Sequence, residues 1–334
     1  MAVLYVTEPG SYLASKAKQI QVFQGDRLLA QIPVIRLTHV VVFGRCTVSH
    51  GAVNLLLREV VPVLFLTQTG RYRGRLASER TTDLGRLMMQ VDQSRDSEFV
   101  LRMAKTLVAA KLHNGRILLR RLNRSRKDKT VIEAIAQLKL WIERVEVVTT
   151  LEGLLGCEGQ GSRVYFQGLG ACVNPPFTFS GRTKRPPTDP VNALLSFGYT
   201  LLHQHIFSLV QATGLHPHFG NLHVPSVRHP ALVSDLIEEF RAPIVDSLVM
   251  SLVNRKAFSP NDFLPPDGRG AVVLSPNSLK MFLGHWQERL YTNIGHPDLE
   301  NPITYRRYLE MQVWEYIAVL MGDRETYRPF RAKT

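Results

Sequence analysis

The sequence predicts an α+β protein: a small N-terminal β-rich domain followed by a larger, mostly α-helical domain. Three observations support this. Residues 1 to about 80 hold short β-branched and aromatic runs broken by glycines. From about residue 95, apolar residues recur at three- and four-residue steps. At 334 residues, the chain is long enough that two domains are expected rather than one.

In order along the chain, Leu4-Tyr5-Val6, Ile20-Gln21-Val22-Phe23, Val40-Val41-Val42-Phe43 and Val63-Leu64-Phe65-Leu66 read as strands. Gly10, Gly25-Asp26, Gly44 and Gly70 mark the turns between them. One helix, Ser49 to Glu59, interrupts the strands, and Arg71-Tyr72-Arg73-Gly74-Arg75 closes the region. Residues 81–95 are expected to be a linker, which gives domains at 1–80 and 96–334. Phe99, Met103, Leu107 and Ala110 open the first helix of the second domain. Further helices are expected at about 131–147, 191–212, 236–255, 278–292 and 303–321. Ser180–Pro190 and 259–270 are rich in proline or glycine and read as loops. The basic tail Tyr327–Thr334 reads as a disordered end or a docking peptide.

Composition narrows the function. With 45% hydrophobic and 21% charged residues, the chain is an ordinary globular protein. No apolar run approaches the ~20 residues of a membrane span, and no secretory signal opens the sequence. Three cysteines without CxxC spacing suggest reduced thiols and a cytoplasmic location, with neither disulfides nor a zinc ribbon. The formal net charge of +13 favours a polyanionic partner, above all nucleic acid. The excess is local as well. Residues 116–129 carry seven Lys or Arg against one Asp, including Arg120, Arg121 and Arg124, and the loop at 180–190 holds Arg182, Lys184 and Arg185. Such clusters contact phosphates and position DNA without reading its sequence.

Three segments hold candidate site residues. Glu158 lies in Gly156-Cys157-Glu158-Gly159, where the glycines are expected to let another backbone come close. Asp235 and Glu238 stand three apart, on one face of a helix. Glu239 is rotated by about 100° and is expected to face solvent or pair with Arg241. His223 ends Phe219-Gly220-Asn221-Leu222-His223, but it is one of eleven histidines and spacing alone does not single it out. HExxH and zinc-type Cys/His spacings are both missing.

The chain resembles the CRISPR-associated spacer-acquisition integrase/endonuclease family, the universal Cas adaptation protein, over nearly its whole length. The likeness runs through Val41-Val42-Phe43-Gly44, Gly70–Arg75 and Lys111-Leu112-His113-Asn114 with Leu118–Arg121. Its most specific block is Lys184-Arg185-Pro186-Pro187-Thr188-Asp189-Pro190-Val191-Asn192 through Tyr199. The resemblance implies that Glu158, His223 and Glu238 bind the metal and that Asp235 is a further functional acid. An imidazole with two carboxylates suits Mg²⁺ or Mn²⁺. Ser234 and Asn221 depart from the usual Tyr and Phe, and no ligand position is lost. The implied reaction is attack of a DNA 3′-hydroxyl on a phosphodiester at the edge of a CRISPR repeat. The implied partners are double-stranded DNA, a second copy of the chain paired through the β domains, and a small ferredoxin-like companion nuclease. A structure-specific endonuclease for branched DNA would use the same site. A DNA-binding scaffold would need the basic residues but not the three ligands.

Overall fold

The valine-rich run at 37–43 becomes the central strand of the N-terminal region. The structure, a computed structural model, describes residues 2–78, 82–223 and 229–333. It divides into two units: Met1–Thr82 with Ser275–Lys280, and Asp83–Leu274 with Met281–Thr334.

The first unit has two four-stranded sheets. In one, β1 (Ala2–Val6), β5 (Leu37–Phe43), β7 (Val63–Leu66) and β8 (Tyr72–Leu76) lie in that order, the first three parallel and β8 antiparallel. Residues 39–43 of β5 are all buried, as a strand covered on both faces must be. In the other sheet, β4 (Arg27–Pro33), β3 (Gln19–Gln24) and β2 (Ser11–Lys16) form an antiparallel meander, and β6 (Cys46–Val48) runs parallel to β2. Gly25 and Gly44 take φ of 57° and 68°, the left-handed turns expected of them. The β2–β3 turn makes the same bend with Ala17 and Lys18 at φ 48° and 59°, without a glycine. Helix α1 (His50–Arg58) starts where Ser49 accepts a hydrogen bond from the Ala52 amide. Leu13, Ile20, Val40, Leu56 and Val63 form the core.

The second unit is helical: α3 (Ser97–Leu122), α4 (Lys129–Val147), α5 (Leu151–Ala171), α6 (Pro190–Ala212), α7 (Ala231–Phe240), α8 (Ser247–Asn254), α10 (Tyr305–Leu320) and the part of α9 (Pro276–Leu290) from Met281 onward, its first residues being counted with the first unit. Asp96, Asp128, Thr150 and Asp189 cap α3 to α6 with their side chains. A π-helical stretch, Arg241–Asp246, joins α7 to α8. Pro243 lies within it and has no amide to give an α-helical ladder, so the widened turn absorbs the missing bond.

Two expectations are corrected here. The linker at 81–95 contains helix α2 (Leu84–Gln93), capped by Asp83 and part of the helical unit. Gln90, a buried polar residue, holds it by bonding both the amide and the carbonyl of His216. The polarity that suggested a linker is therefore the anchor. The glycine-rich segment around Glu158 forms the middle of α5. Its glycines permit close packing: a Cβ at Gly161 would lie 2.6 Å from the Leu112 side chain, and one at Gly168 2.8 Å from Ala134. Lastly, residues 327–333 form an ordered strap of their own unit, which overturns the disordered reading of the tail. Tyr327 and Phe330 are buried, and Phe330 packs on Phe240 and Tyr308 with ring centroids 5.3 and 4.9 Å apart. Among the described residues, no helix is long and apolar enough to cross a membrane.

Candidate active site

Three helices of the second unit converge on one cavity of about 810 Å³. Helix α3 supplies Lys111, α5 supplies Glu158 and Ser162, and α7 supplies Glu238. His223 joins from the loop before α7, and Arg241 from the π stretch after it. The cavity is basic: Lys111, Arg163, Arg182, Lys184 and Arg241 face Glu158, Glu238 and Asp246.

Lys111 is the hub. Its ammonium bonds Glu158 Oε1 and lies 2.8 Å from Glu238 Oε2. Ser162 donates to the same Glu158 oxygen from one turn further along α5, at 2.9 Å. Arg241 Nε holds the other Glu238 oxygen at 2.9 Å, and its guanidinium stacks over Tyr199, 4.6 Å from the ring centre. Burial alone would raise the Glu238 carboxyl, but Arg241 and Lys111 outweigh it and hold it down at about 2. Burial works against the ionised form of Glu158 too, and Lys111 again prevails, so its pKa is lowered. Both acids are charged at neutral pH.

Asp235 builds the other wall. It is fully buried, and all its acceptor capacity is taken. One oxygen accepts from the amides of Asn221 and Leu222, and the other from the amide of His223 and from His223 Nδ1 at 2.7 Å. The carboxylate thus pins the turn 221–223 and fixes the imidazole with Nδ1–H donating, which leaves Nε2 for an outside partner. Gly220 allows this turn, since a Cβ there would lie 2.7 Å from the Ala231 backbone and 2.8 Å from Asp235. Burial disfavours His223 protonation, but the Asp235 contact overcomes it and raises the pKa.

The donors fit a divalent ion in kind: two ionised carboxylates and an imidazole line one cavity. Glu238 Oε2 is buried, and its near partner is the Lys111 ammonium at 2.8 Å. Among the described residues, no three His, Cys, Asp or Glu side chains stand close enough together to form a metal cage. Lys111 stands between the two carboxylates instead.

Other candidate residues are placed differently from one another. Arg182 and Lys184 line the cavity. Arg182 is half-buried and bonded to Thr183 O, Asn192 Oδ1 and Ser196 Oγ, so it also ties down its own loop. Arg185, Arg120, Arg121 and Arg124 are exposed and lie outside the cavity lining, and Arg121 donates to Lys333 O at 2.6 Å. Gly156 and Gly159 do not admit a neighbouring backbone as expected, because a Cβ on either would meet nothing. Glu239 neither faces solvent nor pairs with Arg241. It is buried, with Tyr327 Oη 2.6 Å from Oε1 and the Phe330 amide on Oε2.

Lys111, Arg241 and Asp246 went unrecognised from the sequence. Asp246 accepts from Tyr165 at 2.6 Å and from Tyr199, and its carboxyl is pushed up to about 6 by burial. A signal existed for Lys111: it falls on the same helical stripe as Ala104, Val108 and Gly115, all buried, and a lysine on a buried stripe needs a counter-charge.

The chain is similar to known proteins over most of its length. The sequence matches the family described as CRISPR associated protein Cas1 over residues 4–288. A CRISPR-associated endonuclease Cas1 of Thermus thermophilus is 35% identical over 328 residues, which cover 98% of either chain. The solved Cas6-RT-Cas1–Cas2 complex contains a chain that superposes with a TM-score of 0.87 at 25% identity, over all of this chain and 36% of that longer one. A CAS1 protein from Thermotoga maritima shares the fold, with a TM-score of 0.84 at 22% identity over 99% of this chain and 100% of its own. With a family match across most of its length and a relative this similar from end to end, the chain is a member of the Cas1 family of CRISPR-associated proteins.

Proposed function

We propose that this protein is a divalent-metal-dependent DNA integrase that inserts captured DNA fragments into a CRISPR array. The observation that carries the reading is the pair of ionised carboxylates, Glu158 and Glu238, beside an imidazole oriented by Asp235 in a basic cavity. A nucleic-acid scaffold has no use for two ionised carboxylates, one buried and one partly buried, side by side.

In this mechanism Glu158, His223 and Glu238 would hold Mg²⁺ or Mn²⁺. When bound, the ion supplies Lewis-acid activation of the phosphate and eases deprotonation of the attacking hydroxyl. The 3′-hydroxyl oxygen of the fragment forms a bond to a repeat phosphorus, and the repeat's own P–O3′ bond breaks. The proton leaves the attacking hydroxyl, and the departing 3′ oxygen takes one up. Asp235 keeps Nδ1 of His223 occupied so that only Nε2 faces outward. Arg241 holds Glu238 in place. Exposed Lys184 and Arg163 attract the phosphodiester, with Arg182 behind them. The open surface over Gly156 and Gly159 beside Glu158 leaves room for a DNA backbone. Exposed Arg120, Arg121, Arg124 and Arg185 extend the phosphate track. Pairing of two copies through their β-rich units, and assembly with a small ferredoxin-like companion nuclease, complete the working complex. The Cas1–Cas2 composition of a structural relative supports the second of these.

One assay tests the reading. The protein is mixed with its companion, a short duplex bearing free 3′-hydroxyls, a repeat-containing plasmid and Mn²⁺ or Mg²⁺. Covalent joining of fragment to plasmid is the expected result. Cutting without joining would favour the branched-DNA endonuclease, with water as the nucleophile.

A further inference from the structure

The position of Lys111 has a consequence for metal loading. Its ammonium touches Glu158 on α5 and Glu238 on α7, and these are the two carboxylates assigned above to the ion. Its side chain is 19% exposed, against 24% for Glu158 and 3% for Glu238, so water screens the trio weakly. Arg241 already neutralises part of Glu238 from the other side. Two carboxylates facing two cations are balanced. Adding a divalent ion without moving a cation would leave an excess of positive charge in a partly buried place. Arg241 is confined, since its guanidinium is stacked on Tyr199 and its backbone lies in the π stretch. Lys111 carries its charge on a flexible four-carbon stem beside the cavity and is the one able to move.

We propose that Lys111 is a built-in cation that competes with the divalent metal for Glu158 and Glu238 and so sets the affinity of the site. The proposal rests on the metal-dependent reading of the site. In exchange for that competition, the lysine keeps two close carboxylates ionised and correctly spaced while the metal is absent, and it discourages loading at low metal concentration. A lysine of purely structural value would stabilise the fold and leave metal affinity alone.

The test is a titration of the full-length, chelator-stripped protein with Mn²⁺, free ion being followed by electron paramagnetic resonance. Lys111→Met, which keeps the stem and removes the charge, is expected to bind Mn²⁺ roughly tenfold tighter or more, the scale of one neighbouring charge on a buried group. Its melting temperature without metal should fall, and Mn²⁺ should raise that temperature further than it does in wild type. Lys111→Arg keeps a competing cation with a better fork for carboxylates, and is expected to bind Mn²⁺ more weakly than wild type. It also serves as the readout if the Met variant does not fold. Glu158→Gln is the control that locates the ion. If wild type loses Mn²⁺ on Glu158→Gln but the Met variant binds no tighter, the competition is refuted and the metal site stands. If the Arg variant binds more tightly than wild type, the competition is likewise refuted. If wild type binds no Mn²⁺ that depends on Glu158, both the competition and the metal-dependent mechanism fall.

Discussion

Helix α7 carries neighbouring glutamates on two different faces, and their surroundings give them opposite character. Glu238 meets Lys111 and Arg241, and its carboxyl is held at about 2. Glu239 is equally buried but meets only neutral donors, the Tyr327 hydroxyl and the Phe330 amide, and burial pushes it up to about 8. One acid is thus a fixed anion at neutral pH and the other largely a neutral strut. Burial is common to both, and the formal charge of the partner decides. The first face lines the basic cavity. The second anchors the strap, with help from Asn114, which donates to Glu239 O and Phe330 O and accepts from the Ala332 amide.

The strongest way to break this contrast is to neutralise the charged face. Glu238→Gln should lower strand joining by at least about a hundredfold, as loss of a group that meets developing charge does, while duplex binding in a gel-shift assay stays close to wild type. On the other face, Phe330→Ala should cost about 3–5 kcal/mol of stability in denaturant unfolding, because a buried ring in contact with Phe240 and Tyr308 is removed. Glu239→Gln should affect pH dependence rather than activity. A carboxyl whose folded pKa is raised contributes stability that is full below its unfolded value near 4.5 and lost as pH climbs through about 8. The wild-type melting temperature should therefore carry a downward slope between pH 5 and 8 that the Gln variant lacks. Glu238 contributes with the opposite sign, its share disappearing as pH falls through about 2. The smallest effects belong to α5, which shows the same two-sidedness. Gly156→Ala, at an exposed helical site with open space, should stabilise by about 0.5–1 kcal/mol. Gly161→Ala should destabilise by about 1–3 kcal/mol, since Leu112 would have to give way. Paired melting curves separate the two.

What the sequence revealed follows the same division. Strand and helix positions set by apolar periodicity were legible: β5, β7, α1 and most of the helical unit lie where the pattern puts them. Glycine and polar content misled where tertiary contact overrides local preference. In α5 the glycines are the packing surface, and in α2 a buried glutamine replaces an apolar anchor. In the site, the shared helix of Asp235 and Glu238 could be read from spacing, whereas His223 and Glu158 needed a family resemblance. Their meeting depends on turns and helices far apart in sequence. Glu239 was misplaced because a 100° rotation says which way a side chain points, but not that a distant strap covers it.

That strap also has a consequence for the order of events during synthesis. The Phe330 amide that satisfies Glu239 lies 91 residues downstream of it. At roughly 5–20 residues per second, the ribosome takes about 5–20 seconds to cover that distance. Until Phe330 clears the exit tunnel, α7 carries an uncapped acid and an exposed Phe240 surface. The nascent helical unit therefore cannot finish its own core before Phe330 is available.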